Sequence, residues 1–277
     1  MNLFRKSAIS LITILSFWLN APSSHAWNQL PLLTEPPQVL PAGHVRFDLG
    51  LQYLSKNNFP FSPFSEDSGR NVLSLPTLGL YVGLGKRVEL QVTYEMLFVE
   101  EEEFLIREQW KNGDIAFFTK IEILGERQTL PGIGIKIGAK LPNAGDQFRV
   151  GTDETDLAFS ALFDKTFSKI TTTANLGLLI LGNPFENARQ DDLLSYGFAC
   201  SIPWKKQITY TAEIAGQAFG TSHNERSSAL LHIHIRDGAL TWNISGRLGL
   251  TENSEDWGIS GGVSWTFDGV KCWVSKK

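Results

Sequence analysis

The chain has 277 residues, of which 42% are hydrophobic and 11% aromatic, and this composition excludes a disordered protein. Its 25 Lys and Arg against 29 Asp and Glu give a net charge of -4. That charge argues against a nucleic-acid binder, which needs a basic face for phosphates. The two cysteines, Cys200 and Cys272, are too few for a disulfide scaffold or a Cys-rich zinc module, and we expect both thiols to be unpaired.

The first 26 residues have the layout of a cleaved secretory signal peptide. Arg5 and Lys6 precede an apolar stretch over 8–19, and a small-residue cleavage site ends at Ala26. The apolar stretch is shorter than the roughly 20 residues that a membrane-spanning helix needs, which disfavours a transmembrane anchor. We therefore predict export, with 27–43 forming a Pro-rich periplasmic segment or a partial plug.

From residue 44 onward, apolar and polar residues alternate, and a period of two predicts β-strands. The pattern is clearest over 88–98, 133–141 and 257–267. Taken in chain order, it predicts twelve strands, over 44–55, 71–84, 87–99, 113–124, 131–142, 155–166, 169–182, 193–203, 207–219, 227–236, 239–250 and 256–267.

The connections between the predicted strands alternate in length. Two-residue turns are predicted at 167–168 and 237–238, and three-residue loops at 85–87 and 204–206, all of them after even-numbered strands. The connections after odd-numbered strands are mostly longer and polar or acidic. Short turns would therefore lie at one end of the sheet and long loops at the other.

Strands of about ten residues in an even number, with aromatic residues near their ends, are typical of outer-membrane barrels. Lipid offers no hydrogen bonds to a backbone, so a sheet can cross it only if the sheet is closed. We predict an all-β fold: a closed antiparallel up-and-down transmembrane β-barrel of about 12 strands over 44–267, with short periplasmic turns and longer extracellular loops. Residues 268–277 would form a C-terminal tail. The alternative is a soluble periplasmic sandwich or lipocalin-like barrel, whose apolar face points inward.

A series of short motifs runs across most of the chain after the signal peptide. In order they are Leu40-Pro41-Ala42-Gly43, Leu75-Pro76, Gly85-Lys86-Arg87-Val88-Glu89-Leu90, Asn112-Gly113-Asp114, Lys140-Leu141-Pro142, Thr155-Asp156-Leu157, Ala174-Asn175-Leu176-Gly177 and Gly182-Asn183-Pro184. Their order and spacing resemble the family of outer-membrane transporters labelled "MetA-pathway of phenol degradation". The resemblance implies passage of small molecules, aromatic ones among them, across the bacterial outer membrane. Phe267 resembles the terminal aromatic residue of such barrels, although ten residues follow it.

The same alternation assigns many charged side chains and two imidazoles to the inner face of the barrel. The predicted pore-lining residues are Arg46, Asp48, Glu89, Glu95, Asp114, Lys120, Glu122, Lys136, Lys140, Asp156, Asp164, Glu213, His232, His234, Arg236 and Arg247. Unpaired charges in a dry core would cost several kcal/mol each, so the interior must hold water or ion pairs. A fourth hairpin centred near Thr129 would place Glu122 opposite Lys136, and this is the first pair expected.

The sequence therefore predicts a monomeric outer-membrane channel for small, aromatic or hydrophobic molecules, with membrane lipid and a small-molecule solute as partners and no nucleic acid. We expect no cofactor, metal or catalytic residue. His232 and His234 supply two ligands where zinc requires three or four, and no motif places a nucleophile beside a base. Two alternatives stay open: a closed structural or adhesive barrel that binds partners through its loops, and a barrel hydrolase using Ser160, Asp164 and the histidines.

Overall fold

A computed structural model of the chain describes residues 33–58, 70–100, 109–144, 154–183, 190–220 and 224–269. These residues form twelve β-strands: β1 His44–Asn57, β2 Arg70–Gly83, β3 Val88–Glu100, β4 Gln109–Leu124, β5 Gly132–Leu141, β6 Asp156–Phe167, β7 Ile170–Gly182, β8 Gln190–Lys205, β9 Ile208–Ala218, β10 Arg226–Asp237, β11 Leu240–Gly249 and β12 Trp257–Asp268. Each strand pairs with its sequence neighbours, and β12 pairs with β1, so the sheet closes. The predicted twelve-strand antiparallel barrel is confirmed.

The predicted signal peptide over 1–26 lies outside the described residues, as do residues 270–277 of the predicted tail over 268–277. The start of that tail is corrected, because Asp268 pairs with His44 as the last residue of β12. Within the described ranges, no helix is long and apolar enough to cross a membrane. The connections after β2, β6, β8 and β10 are short and those after the odd-numbered strands are longer, as predicted, but the connection after β4, over 125–131, is as long as those after β7, β9 and β11. We call the two ends of the barrel the short-turn end and the long-loop end, and the chain enters β1 from the short-turn end.

The two faces of the barrel differ in polarity in the sense expected for a membrane protein. In β10, Leu231, Ile233 and Ile235 are exposed on the outside, whereas His232 and His234 between them are buried. A soluble barrel would bury its apolar residues and expose its polar ones. The apolar face therefore points outward, as predicted, and the sandwich and lipocalin-like alternatives are wrong.

Aromatic side chains pair near both ends of the barrel, three pairs on neighbouring strands and one within β12. Tyr53–Trp257 and Phe98–Trp110 lie near the long-loop end, and Trp204–Tyr210 and Trp265–Phe267 near the short-turn end. Along β12, the rise from Trp257 to Trp265 corresponds to roughly 20 Å for a strand tilted by about 40°. This separation is close to the height of an outer-membrane apolar band, about 25 Å, and the two rows suit the two lipid–water interfaces.

The two predicted two-residue turns are displaced by one residue. In the β10–β11 hairpin, Asp237 pairs with Leu240, so the turn starts at Gly238 and not at Asp237. The β6–β7 turn likewise starts at Ser168. Gly238 and Ser168 have φ angles of 60° and 58°, and this positive φ at the first turn position sets the register. The cross-strand partner of each residue is therefore two residues away from the predicted one, and every side chain keeps its predicted face.

The two predicted three-residue loops had different outcomes. The loop at 85–87 is confirmed, because Gly83 pairs with Glu89 and Leu84 N donates to Val88 O at 2.9 Å. The loop at 204–206 is shorter than predicted, since Lys205 pairs with Ile208 across a register shift. The bulge adds one residue to β8 that alternation alone does not show.

Candidate channel lumen and the segment inside it

The residues predicted to line the pore project to the inside of the barrel. Eight are buried: Arg46, Glu89, Lys120, Asp156, Asp164, Glu213, His232 and His234. The other eight are partly buried: Asp48, Glu95, Asp114, Glu122, Lys136, Lys140, Arg236 and Arg247. None lies exposed on the lipid-facing side. Their role as pore-lining residues stays a prediction.

Ion pairs along the inner wall balance several of these charges. Near the long-loop end, Lys140 Nζ lies 2.9 Å from Asp114 Oδ2 and 2.7 Å from Asp156 Oδ2, joining β4, β5 and β6. On β1, Arg46 Nε lies 3.2 Å from Asp48 Oδ1. These pairs reduce the cost of placing charge inside a membrane-spanning sheet.

Residues 33–43, which precede β1, run inside the barrel, and we call them the lumenal segment. At its junction with β1, Gly43 N donates to Gly83 O at 2.8 Å. Farther in, Leu40 N donates to Glu89 Oε2 at 2.7 Å, and the Val39 and Leu40 side chains are each 1% exposed. Residues 27–32 of the predicted 27–43 segment lie outside the described residues.

The lumenal segment reaches wall strands far apart around the barrel. Gln38 Nε2 donates to Asp164 Oδ2 on β6 at 2.5 Å. Thr34 N donates to Glu213 Oε1 on β9, also at 2.5 Å. Together with the Leu40 contact on β3, these hydrogen bonds place the segment across the lumen.

Glu35 makes the densest set of contacts in the lumenal segment. Its Oε1 is in direct contact with Lys136 Nζ, and its Oε2 accepts from Gln91 Nε2 at 2.9 Å and lies 3.5 Å from Lys120 Nζ. Glu89 Oε1 completes the group, 3.4 Å from Lys120 Nζ and 2.8 Å from Gln91 Nε2. We call Glu35, Glu89, Gln91, Lys120 and Lys136 the lysine cluster.

Both the charge and the backbone of Glu35 are satisfied in this position. Burial alone would raise the pKa of its carboxyl, but the Lys136 and Lys120 ammoniums and the hydrogen bonds hold the pKa well below its usual range. Glu35 is therefore a carboxylate at neutral pH. With its amide oriented to satisfy both groups, Asn175 accepts from Glu35 N and donates to Glu35 O, each at 2.8 Å.

The lysine cluster corrects the predicted ion pair between Glu122 and Lys136. In the β4–β5 hairpin Glu122 pairs with Gly134, and Lys136 pairs with Lys120. The connection is centred at Gln128, one residue earlier than Thr129, and this moves each cross-strand partner by two residues. Lys136 and Lys120 are thus neighbours, and Glu35 lies between two like charges that would otherwise repel each other.

Wall glycines make room for the lumenal segment. A Cβ atom at Gly83 would lie 2.1 Å from Pro41 O, and one at Gly134 would lie 3.1 Å from Pro37 Cβ. At Gly197 the three nearest atoms all belong to Thr34, the closest 2.3 Å away. A side chain at Gly197 would therefore clash with the segment and not with the wall.

We expect Gly197→Val to displace the inner part of the lumenal segment, whereas Gly246→Val, where a Cβ meets nothing within 4 Å, leaves it in place. The measurement is the rate of maleimide labelling at Leu40→Cys, in a chain with Ser at both native cysteines. Leu40 is 1% exposed, so labelling should be slow in the parent and in Gly246→Val, and about ten-fold faster in Gly197→Val. Equal rates in all three chains would contradict the segment's position.

A cavity of about 580 Å³ lies beside the lumenal segment, among the central and long-loop parts of the strands. Its lining includes Leu33, the first described residue of the segment, together with the side chains of Asp48, Glu95, His232 and Arg247. The volume is within the range of small-molecule sites, about 300–1,000 Å³. The lumen therefore has space for a small solute next to the segment.

The two histidines contact Glu213 and each other. His232 Nε2 lies 2.9 Å from Glu213 Oε2, and the His232 and His234 rings stack with centroids 5.7 Å apart. Ser160 lies on β6, where it pairs with Lys136 and Gly177. Among the described residues, no group of three or more His, Cys, Asp or Glu side chains is arranged to hold a metal ion.

A closed twelve-strand barrel with an apolar outer face and a charged lumen is the architecture of transmembrane outer-membrane barrels. An outer membrane channel from Pseudomonas putida F1 shares this fold with a TM-score of 0.67 and 11% identity, over 83% of this chain and 97% of that chain. The NalP autotransporter translocator domain from Neisseria meningitidis has a TM-score of 0.48 and 13% identity, over 95% of this chain and 98% of that chain. Outer membrane phospholipase A from Escherichia coli has a TM-score of 0.45 and 10% identity, over 80% of this chain and 92% of that chain. No family model and no curated protein sequence matches the chain.

Proposed function

We propose that this protein is an outer-membrane channel that admits small molecules without chemical change. The proposal rests mainly on one observation: a cavity of about 580 Å³ adjoins a lumenal segment that hydrogen bonds and ion pairs attach to the wall. Moving these residues would extend the cavity toward the short-turn end without breaking any strand pairing. A partial plug is therefore the role we assign to the segment.

The location and the solute are parts of the same proposal. The apolar outer face and the two aromatic rows fit a lipid bilayer, and membrane lipid is the expected partner of a monomeric barrel. The resemblance to the "MetA-pathway of phenol degradation" family implies small aromatic or hydrophobic solutes, and this stays a prediction. The sixteen inward-facing residues would line the path.

A barrel hydrolase finds less support in the contacts. The His232 imidazole contacts Glu213 on β9, and Ser160 pairs in the sheet with Lys136 on β5 and Gly177 on β7. A nucleophile needs a base within hydrogen-bond reach. We therefore propose no catalytic activity, and a closed adhesive barrel is the rival that the experiment must separate.

The experiment records ion currents from the folded protein in planar bilayers, beside a chain that lacks residues 27–42. Heat-modifiable migration on a gel verifies that both chains are folded. We expect discrete current steps that are larger in the shortened chain, because the lumenal segment no longer narrows the bore. Absence of current from both folded chains would contradict the channel and favour the adhesive barrel.

A further inference from the structure

The side-chain groups that hold Glu35 form a binding site for a carboxylate group. One carboxylate oxygen of Glu35 contacts Lys136 Nζ, and the other accepts from Gln91 at 2.9 Å and faces Lys120 at 3.5 Å. With the segment in place, Gln91 is 2% exposed and the Lys120 side chain 2%, so these two donors are screened from bulk water. Charge-assisted hydrogen bonds are strong in such a setting.

The wall residues of the lysine cluster carry two positive charges and one negative charge. These are the ammoniums of Lys120 and Lys136 and the carboxylate of Glu89, which pairs with Lys120 at 3.4 Å. Glu35 supplies the missing negative charge, and it is the one charged residue within 27–43. When Glu35 leaves, two ammoniums on neighbouring strands share one carboxylate, and any small anion that can reach them is attracted.

We propose that Lys120, Lys136 and Gln91 are a solute-binding site for small monocarboxylates, which Glu35 occupies until a solute displaces it. This inference rests on the proposed channel function and names the chemical class of its solute. The Glu35 carboxylate occupies the position that the carboxylate of a bound solute would take, between Lys136, Gln91 and Lys120.

The surroundings of Lys136 add a preference for an apolar or aromatic body. Its Nζ lies over the Phe118 ring, 4.2 Å from the ring centroid, so an aromatic side chain is part of the immediate surroundings of the ammonium. The cavity of about 580 Å³ has Leu33 in its lining, two residues before Glu35 along the segment. A planar carboxylate such as benzoate combines the charge that the lysines bind with a ring that can pack against Phe118.

Glu35 competes as a tethered ligand, so the concentration of free solute matters. A short flexible tether gives an effective concentration on the order of millimolar, and this is a lower bound here because Thr34, Gln38 and Leu40 also bind the wall. A free carboxylate of equal intrinsic affinity therefore half-displaces Glu35 only at millimolar concentration or above. Removal of the Glu35 charge should make the same site available at lower concentrations.

The test measures binding of acetate and benzoate by ligand-observed NMR, which detects weak ligands without transport. Folded Glu35→Gln protein is compared with wild type and with the double variant Glu35→Gln/Lys136→Gln. We expect both carboxylates to bind Glu35→Gln about ten-fold more tightly than wild type, with benzoate tighter than acetate. Binding should be lost in the double variant, and benzyl alcohol, which lacks the charge, should not bind. If Lys136→Gln does not fold, Lys120→Gln replaces it.

Absence of carboxylate binding to folded Glu35→Gln, or equal binding to the double variant, would overturn the site. A parallel current recording separates this result from a failure of the proposed function. Carboxylate binding that depends on Lys136 in a barrel that carries no current supports the site and contradicts the channel. A barrel that conducts but does not bind acetate or benzoate contradicts the site and leaves the channel supported.

Discussion

Glu35→Lys is expected to raise the ion conductance of the barrel about ten-fold or more. The substitution replaces the shared carboxylate by a third ammonium, beside Lys136 and Lys120 and with Glu89 as the remaining carboxylate of the cluster. Two like charges 4 Å apart repel by about 4 kcal/mol at an effective dielectric constant near 20. This is comparable to the hydrogen bonds of Thr34, Gln38 and Leu40 to the wall taken together, about 1 kcal/mol each, and the ion pairs of Glu35 are lost as well, so the segment should leave the lumen.

Two control variants separate charge from side-chain shape. Glu35→Asp keeps the negative charge and should stay close to wild type in conductance. The double variant Glu35→Lys/Lys136→Glu exchanges the two charges, restores an opposite-charge contact, and should return the conductance toward the wild-type value. Single-channel recording of the folded proteins is the measurement. A wild-type conductance in Glu35→Lys, or no recovery in the double variant, would show that the cluster does not hold the segment.

The closed barrel was predictable because one physical requirement controls the whole sequence. A membrane-crossing sheet must face lipid with one side of every strand, so alternation persists from β1 to β12. The pattern fixes which face a residue occupies: Leu231 and His232 lie on the predicted sides. It also located most strand ends to within two residues, although β4 begins at Gln109, four residues before the predicted start.

Cross-strand register was less predictable because alternation is unchanged by a shift of two residues. The hairpin turns at Ser168 and Gly238 keep every face and yet change every partner. For the lysine cluster this decided the chemistry: a two-residue difference placed Lys136 beside Lys120 and not beside Glu122. Local backbone preferences at the turn, and not hydrophobic pattern, carry this information.

The path of the lumenal segment was open to prediction only in part. The Pro-rich composition of 27–43 allowed either a periplasmic segment or a plug. Two sequence features pointed inward: the single charged residue Glu35 in an otherwise uncharged stretch, and inner-face glycines such as Gly134 and Gly197 in the facing strands. Neither feature repeats along the sequence as the strand alternation does. That Glu35 and these glycines contact each other's elements is visible only in the three-dimensional structure.

The face assignment itself gives the second large prediction, at two adjacent residues near the middle of β11. Ile244 is 61% exposed on the outer face, and Asn243 lines the cavity on the inner face. Ile244→Arg would place a guanidinium in hydrocarbon and should destabilise the folded barrel by about 2–4 kcal/mol, as found for Arg near a bilayer midplane. Asn243→Arg enters a cavity of about 580 Å³ that Asp48 and Glu95 also line, and should cost less than about 1 kcal/mol.

Reversible urea unfolding in lipid vesicles, followed by tryptophan fluorescence and gel migration, measures both free energies of unfolding. The two variants are comparable because both place Arg on the same strand at nearly the same depth. The main difference between them is the medium that receives the charge, hydrocarbon at 244 and the lumen at 243. A similar loss from both variants, or a larger loss from Asn243→Arg, would mean that the outer face of β11 does not contact hydrocarbon. The channel proposal depends on that contact, since a lumen is separated from lipid only if the apolar side chains of every strand point away from it.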